Sequence, residues 1–215
     1  MLAGIAGLLG LVLLLVGLAL VALQLFARDD GFYTSDTERL ESNGYAITSE
    51  EIDLTTDPLS WSPEEILGTV RIRVEAADDE SVFVGIGSRS EVDAYLRGVD
   101  RATVTDFGDP VAYDEQPGGR PRDPPGEEDL WIAQTEGNGE QSLLWDAEGG
   151  VWSVVVMNAD ASRGVAVDAD GGVEFEYLLL IGLGLAALGL LLLGLAVIAA
   201  RALVRRPGQE RAPQG

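Results

Sequence analysis

The amino-acid sequence predicts a mainly β fold: an extracytoplasmic two-sheet β-sandwich, jelly-roll-like, with one short helix and a transmembrane α-helix on either side. Three observations carry that prediction. Residues 2–26 and 178–200 contain no charged side chain, and each run is long enough to cross a hydrocarbon core about 30 Å thick. Between them, short segments of alternating apolar and polar residues recur, bounded by Gly, Asn and Asp. Only one segment of that middle has a helical period.

The first run, residues 1–26, is read as an uncleaved signal anchor. Its apolar stretch exceeds the 7–15 residues of a typical signal-peptide core, and Ala19, Ala22 and Ala27 form no small-x-small cleavage site. The second run is followed by Arg201, Arg205, Arg206 and Arg211, opposed only by Glu210. Arginines just beyond a span mark the cytoplasmic side. Two spans then place both termini in the cytoplasm, residues 201–215 as a basic tail, and residues 27–177 outside. Arg28 lies on the outer side, where a long translocated segment is weakly governed by local charge. Phe26, Phe32, Tyr33, Phe175 and Tyr177 fall where aromatic rings favour the outer membrane interface.

The chain has 36 acidic residues, 14 Arg, and no Lys, His or Cys. Setting aside the tail's four Arg and one Glu leaves 35 acids against 10 Arg in the middle, a net charge of −25. That surface repels phosphate backbones and anionic headgroups, so nucleic acid is excluded as a partner. Without Cys the domain relies on its own core, which a segment of this length supplies. Arg in place of Lys with an excess of acid points to a high-GC prokaryote and fits a salt-rich setting.

The strands follow in order. Residues 46–54 open the series. Residues 68–76 place Val70, Ile72 and Val74 on one face and Arg71 and Arg73 on the other, a half-buried strand whose arginines face abundant acids. Asp78-Asp79 turns the chain into 81–86, apolar on both faces and therefore central. A helix follows, with Ser90 as N-cap, Asp93 in its first turn, and Val92, Tyr95, Leu96 and Val99 on one stripe ending at Gly98. That stripe is expected to plug one end of the sandwich. Further strands are read at 102–107, 130–135, 141–146, 151–157 and 164–167, with hairpin turns at Gly137-Asn138-Gly139 and Gly149-Gly150. Residues 117–129, rich in Pro and Gly, read as a long surface loop within one domain, since the segment after it is too short for a separate core.

Three segments, 31–54, 81–99 and 152–167, resemble a family of uncharacterised two-span membrane proteins of actinobacteria and related prokaryotes. The likeness extends over nearly the whole chain, spans included. It implies an extracytoplasmic domain and carries no functional residues across. More loosely, the W-x-V-x-V pattern at Trp152, Val154 and Val156 is similar to the last strands of jelly-roll modules in secreted bacterial proteins.

Catalytic chemistry is largely excluded by composition. Without His or Cys there is no Ser-His-Asp triad, thiol nucleophile or ordinary zinc site, and without Lys no Schiff base or P-loop. A carboxylate pair remains, but among so many acids proximity carries no information. For calcium, Asp168-Ala-Asp170-Gly171 repeats a D-x-D-G fragment, with Asn158 and Asp160 nearby in sequence. An EF-hand needs a Glu six residues after that Gly, whereas Glu174 follows after three. Turn residues and solvated surface are the plainer reading. Of the tryptophans, Trp131, Trp145 and Trp152 read as core, leaving Trp61 as the candidate surface aromatic for a glycan.

In the spans, Ala3, Gly10 and Gly17 recur at heptad spacing and Gln24 continues the stripe, while Gly182, Gly189 and Ala196 do the same. Laid antiparallel, Ala3 meets Ala196, Gly10 meets Gly189 and Gly17 meets Gly182, which predicts a packed hairpin in the bilayer. The expected function is that of a non-enzymatic module, without cofactor, that interacts with another envelope or membrane protein. The alternative is a tethered calcium- or glycan-binding domain.

Overall fold

A computed structural model describes residues 2–26, 31–55, 68–77, 80–175 and 177–204. Trp61, Arg28, the Asp78-Asp79 turn and the arginines beyond 204 lie outside the described residues, as do the side chains of Ala3 and Phe26. The chain divides into two compact units, one made of the two terminal helices and one of residues Asp29–Glu176.

The terminal helices are α1 (Leu2–Phe26) and α3 (Leu178–Val204), the latter running on past residue 200 to take Arg201 into its last turn. Both are long and apolar enough to cross a membrane. They lie against each other along a seam formed by Gly10, Gly17 and Gln24 on α1 and by Gly182, Ala186 and Gly189 on α3. The approach leaves no room for side chains. A Cβ on Gly17 would lie 2.6 Å from the Gly182 carbonyl oxygen, and one on Gly189 would lie 2.6 Å from that of Gly10. Gly10 thus meets Gly189, and Gly17 meets Gly182. Ala196 lies against Gly7, whose Cβ would be 3.5 Å from its own. Away from the seam, Leu8, Leu15, Leu180 and Ile198 are exposed, as lipid-facing side chains are.

The domain comprises, among the described residues, twelve strands in two sheets. In the five-stranded sheet the order begins at β10 (Glu140–Asp146) and continues through β5 (Thr69–Ala76) to β12 (Val165–Val173). The far edge of β12 is shared by β1 (Tyr33–Thr34) and β2 (Glu38–Ser42), and every pairing is antiparallel. The seven-stranded sheet runs β8 (Ala112–Gln116), β7 (Arg101–Asp106), β3 (Ala46–Ser49), β11 (Val151–Asn158), β6 (Ser81–Ser88), β9 (Trp131–Asn138). There β4 (Ile52–Asp53) pairs with β11 beyond β3, and the β3–β7 pairing is parallel.

Alternation decides what each face covers. On β6, Val82, Val84 and Ile86 point between the sheets, where they meet Leu40, Val74, Leu143, Trp145, Val165 and Val167. Phe83, Gly85 and Gly87 point the other way. So do Val155 and Met157 of β11, and a second cluster covers them with Val92, Leu96 and Val99. Helix α2 (Arg89–Tyr95) therefore lies on the outer face of the seven-stranded sheet, not in one end of the sandwich. A sheet that is apolar on both faces needs two covers. Its N-cap is Ser88, not Ser90: the Ser88 hydroxyl accepts the Glu91 N–H, satisfying one free donor of the first turn, and itself donates to the Glu91 carboxylate.

Trp131 packs beside that helix, 5.1 Å from the Phe83 ring and 6.1 Å from Tyr95. It sits where Gly85 has no side chain, since a Cβ there would come within 2.6 Å of the indole. Residues 117–129 are an ordered strap over the same region. The indole N–H of Trp131 donates to the Pro125 carbonyl, and the Tyr95 hydroxyl donates to that of Asp123. Trp145 is buried between the sheets and contacts Trp152 edge-on at 5.6 Å.

Several strand expectations change. The turns at Gly139 (φ +72°) and Gly149-Gly150 carry the chain from one sheet to the other, so they are not hairpins. Strand 164–167 extends to Val173, and β1, β2 and β8 are strands that polar sequence concealed. Phe32 and Tyr33 are built into the domain: Phe32 lies under the Arg71 guanidinium at 4.4 Å, and Tyr33 packs on Phe175 at 5.6 Å.

The double variant Gly7→Cys/Ala196→Cys is expected to form an intramolecular disulfide on mild oxidation, because the two Cβ atoms fall within disulfide range. Adding Gly17→Leu should abolish it; persistence of the bond in that background would refute the seam. Burial first, then the nearby Glu128 and Asp123 charges, raise the Tyr95 pKa far above its ordinary 10. The folded state then holds this proton more tightly than the unfolded chain. Tyr95's contribution is complete below pH 10 and is lost as pH rises above that value. Melting temperatures from pH 9 to 11.5 should fall less steeply in Tyr95→Phe than in the parent.

Candidate binding cleft

The sandwich interior is unevenly filled. Toward β6 and β10 the bulky Trp145, Leu143 and Ile86 occupy it. Toward β2, β12 and β5 on one sheet, and β3, β4 and β11 on the other, the facing side chains of the described residues are aliphatic, none of them tryptophan. There the sheets leave an open cleft of about 700 Å³. Leu40, Ile47, Ile72, Val74, Val104, Val154, Val156 and Ala169 form its walls. Ser35, Asp36, Glu38, Ser49, Glu50, Glu51 and Phe107 line it with polar groups and one exposed ring. No arginine lines it among the described residues.

The mouth is shaped by two bulges of the same kind. Along β12, Thr34 pairs with Gly172 and Glu38 with Ala169, so the three residues 35–37 oppose the two residues 170–171. Along β11, Thr48 pairs with Val155 and Ile52 with Trp152, so residues 49–51 oppose 153–154. Each bulge is stitched to the central strand by a serine. Ser35 donates its N–H to the Gly171 carbonyl (2.8 Å) and accepts the Gly171 N–H on its hydroxyl (3.1 Å). The Ser49 hydroxyl accepts the Val154 N–H (3.0 Å) and donates to the Glu50 carbonyl. An extra residue in a strand re-aims the side chains around it, and here Asp36, Glu50 and Glu51 are the residues that the bulges carry. Segment 46–54, expected as one strand, is broken for this reason. Neither bulge has a hydrophobic signature; the Glu50-Glu51 pair within an otherwise apolar stretch was the available sign of the second.

The four calcium candidates do not form one site. Asp168 and Asp170 are within strand β12, not in a loop, and each faces an arginine. Arg39 approaches Asp168 at 3.2 Å, and Arg73 meets Asp170 at 3.0 Å with little solvent access. Asn158 ends β11 and Asp160 lies in the turn that follows. The Asn158 amide donates to the Ser162 hydroxyl and the Gly164 carbonyl, while Asp160 accepts the Ser162 N–H at 2.8 Å. The Ser162 side-chain bond, followed by its backbone bond, holds the Asp160 carboxyl below the usual range. Among the described residues no group of three or more carboxylates is spaced to hold a metal ion.

Five more arginines find partners within the domain. Arg89 pairs with Asp93 (2.8 Å), and Arg101 donates to the Leu96 carbonyl at the end of α2. Arg163 pairs with Asp100 and stacks over Tyr45, and Arg120 donates to the Asp160 carbonyl. Arg71 is 6% exposed and donates to the Thr34 hydroxyl.

No protein-family model matches the chain, and no curated protein is detectably related to it.

Calcium and magnesium chloride at equal millimolar concentration should raise the melting temperature by the same amount, through screening of the acidic surface alone. A calcium-specific rise that disappears in Asp168→Asn/Asp170→Asn would restore the calcium reading.

Proposed function

We propose that the chain is a two-pass membrane protein with both termini in the cytoplasm, whose acidic sandwich acts outside as a non-enzymatic docking module for a basic protein of the cell envelope. The observation that supports it most is where the arginines go. Seven of them, at 39, 71, 73, 89, 101, 120 and 163, are turned to acceptors or rings of the domain itself. The surplus of carboxylates is left to face solvent, and a one-sign field of that kind accelerates and selects partners of opposite charge. Arginines after α3 support the orientation. The resemblance of segments 31–54, 81–99 and 152–167 to two-span proteins of actinobacteria agrees with the same arrangement.

Absence of lysine makes the test clean. Carbodiimide joins carboxylates to amines, and this chain offers only its N-terminal amine, so side-chain crosslinks report lysines of other molecules. In native membranes one dominant partner is expected, linked through Asp or Glu of residues 29–176. Its yield should drop about tenfold between low salt and 0.5 M salt, as the Debye length shortens. Recovery of a partner whose yield ignores salt, or of no partner above background, would overturn the proposal.

A further inference from the structure

We propose that the cleft between the sheets binds a single-chain amphiphile with a cationic head group. Such binding rests on the cleft alone and is independent of docking to a protein. Its volume, about 700 Å³, lies within the range of small-molecule sites, which are concave and mainly apolar with a few placed polar groups. The walls are aliphatic: Leu40, Ile72, Val74, Val154 and Val156 offer methyl and methylene surface to a flexible hydrocarbon chain. They offer no flat aromatic face inside for a sugar ring to stack on.

Charge selects the head group. Asp36, Glu38, Glu50 and Glu51 stand on the two sides of the opening, three of them carried by the opposed bulges. Asp170 pairs across the strands with Arg73, on the face of the sheet opposite Val74, and is neutralised by it at 3.0 Å, so it adds little net field. A carboxylate, sulfate or phosphate head would enter a ring of like charge, whereas an ammonium would meet acceptors from both sheets. Phe107, 61% exposed at the same opening, offers a ring face of the kind that attracts quaternary ammonium groups. Apolar depth and anionic mouth together describe one ligand: a hydrocarbon tail ending in a cation.

The test uses the full chain in phosphatidylcholine nanodiscs and three photoprobes with the same diazirine-bearing decyl chain. One ends in trimethylammonium, one in sulfate and one in maltose. After irradiation, mass spectrometry locates the label. The ammonium probe is expected on peptides of β5, β11 and β12, roughly tenfold above the sulfate probe and above the maltoside. Glu50→Gln/Glu51→Gln, on an exposed bulge, should cut ammonium labelling severalfold and leave maltoside labelling unchanged. Ala169→Leu, which fills the cleft, should suppress labelling there by all three. Equal labelling by ammonium and sulfate, label confined to α1 and α3, or indifference to the glutamine pair would each overturn the proposal. Because the glutamine variant alters only exposed side chains, the outcome stands even where Ala169→Leu fails to fold.

Discussion

Strands β6 and β11 are apolar on both sides, and the architecture of the domain follows from having to cover them twice. One cover is the five-stranded sheet, which buries Val82, Val84, Ile86 and Val156. The other is assembled from less regular material: a helix of seven residues, the indole of Trp131 and a proline-rich strap. Burial of a large aliphatic or aromatic side chain contributes about 1.5–3 kcal/mol, so leaving either face open would remove much of the core's stabilisation. Gly85 shows how tightly the second cover is fitted. Its missing side chain is the seat of Trp131.

The same economy appears between the spans, where the driving force differs. Lipid is as apolar as leucine, so two helices gain little from hiding apolar surface and must gain from close packing. Glycines at 10, 17, 182 and 189 let the backbones touch. In water a glycine within a helix costs roughly 1 kcal/mol relative to alanine; here that loss is set against contacts no larger residue permits. Glycine thus serves both units for one reason, the approach of something bulky to a bare backbone.

Much of this was legible in the sequence, and the failures have a common cause. The spans, the alternating strand at 69–76 and the doubly apolar strand at 81–88 declare themselves by period and composition. Heptad-spaced glycines pointed to the Gly10–Gly189 and Gly17–Gly182 approaches; the Ala196 expected opposite Ala3 lies against Gly7. Hidden from view were β1, β2 and β8, whose sequences are polar because their outward residues face solvent and few point inward. Also hidden was the partner of each strand: a turn built on Gly139 reads as a hairpin whether its strands pair with one another or with separate sheets. The cleft was illegible for a deeper reason. It lies between two layers and is lined by residues spread from Ser35 to Gly171, and no local pattern records the space left between strands of separate sheets. Asp168 and Asp170 show how little a short motif fixes, since a D-x-D-G string is also what a strand looks like when it sets two acids opposite two arginines.

Strand β12 is the last to be made and stands in the middle of its sheet, holding β1, β2 and β5 in place. Arg39 waits 129 residues for Asp168. Contacts so distant along the chain close late and slowly, so β1 and β2 have no sheet to join until nearly all of the domain has been synthesised. The strand that completes this sheet is followed at once by α3, a helix long and apolar enough to cross a membrane. β1 and β2 must therefore stay free of other strands until β12 is made, whereas β3, β6, β7 and β8 find all their partners among strands that precede it.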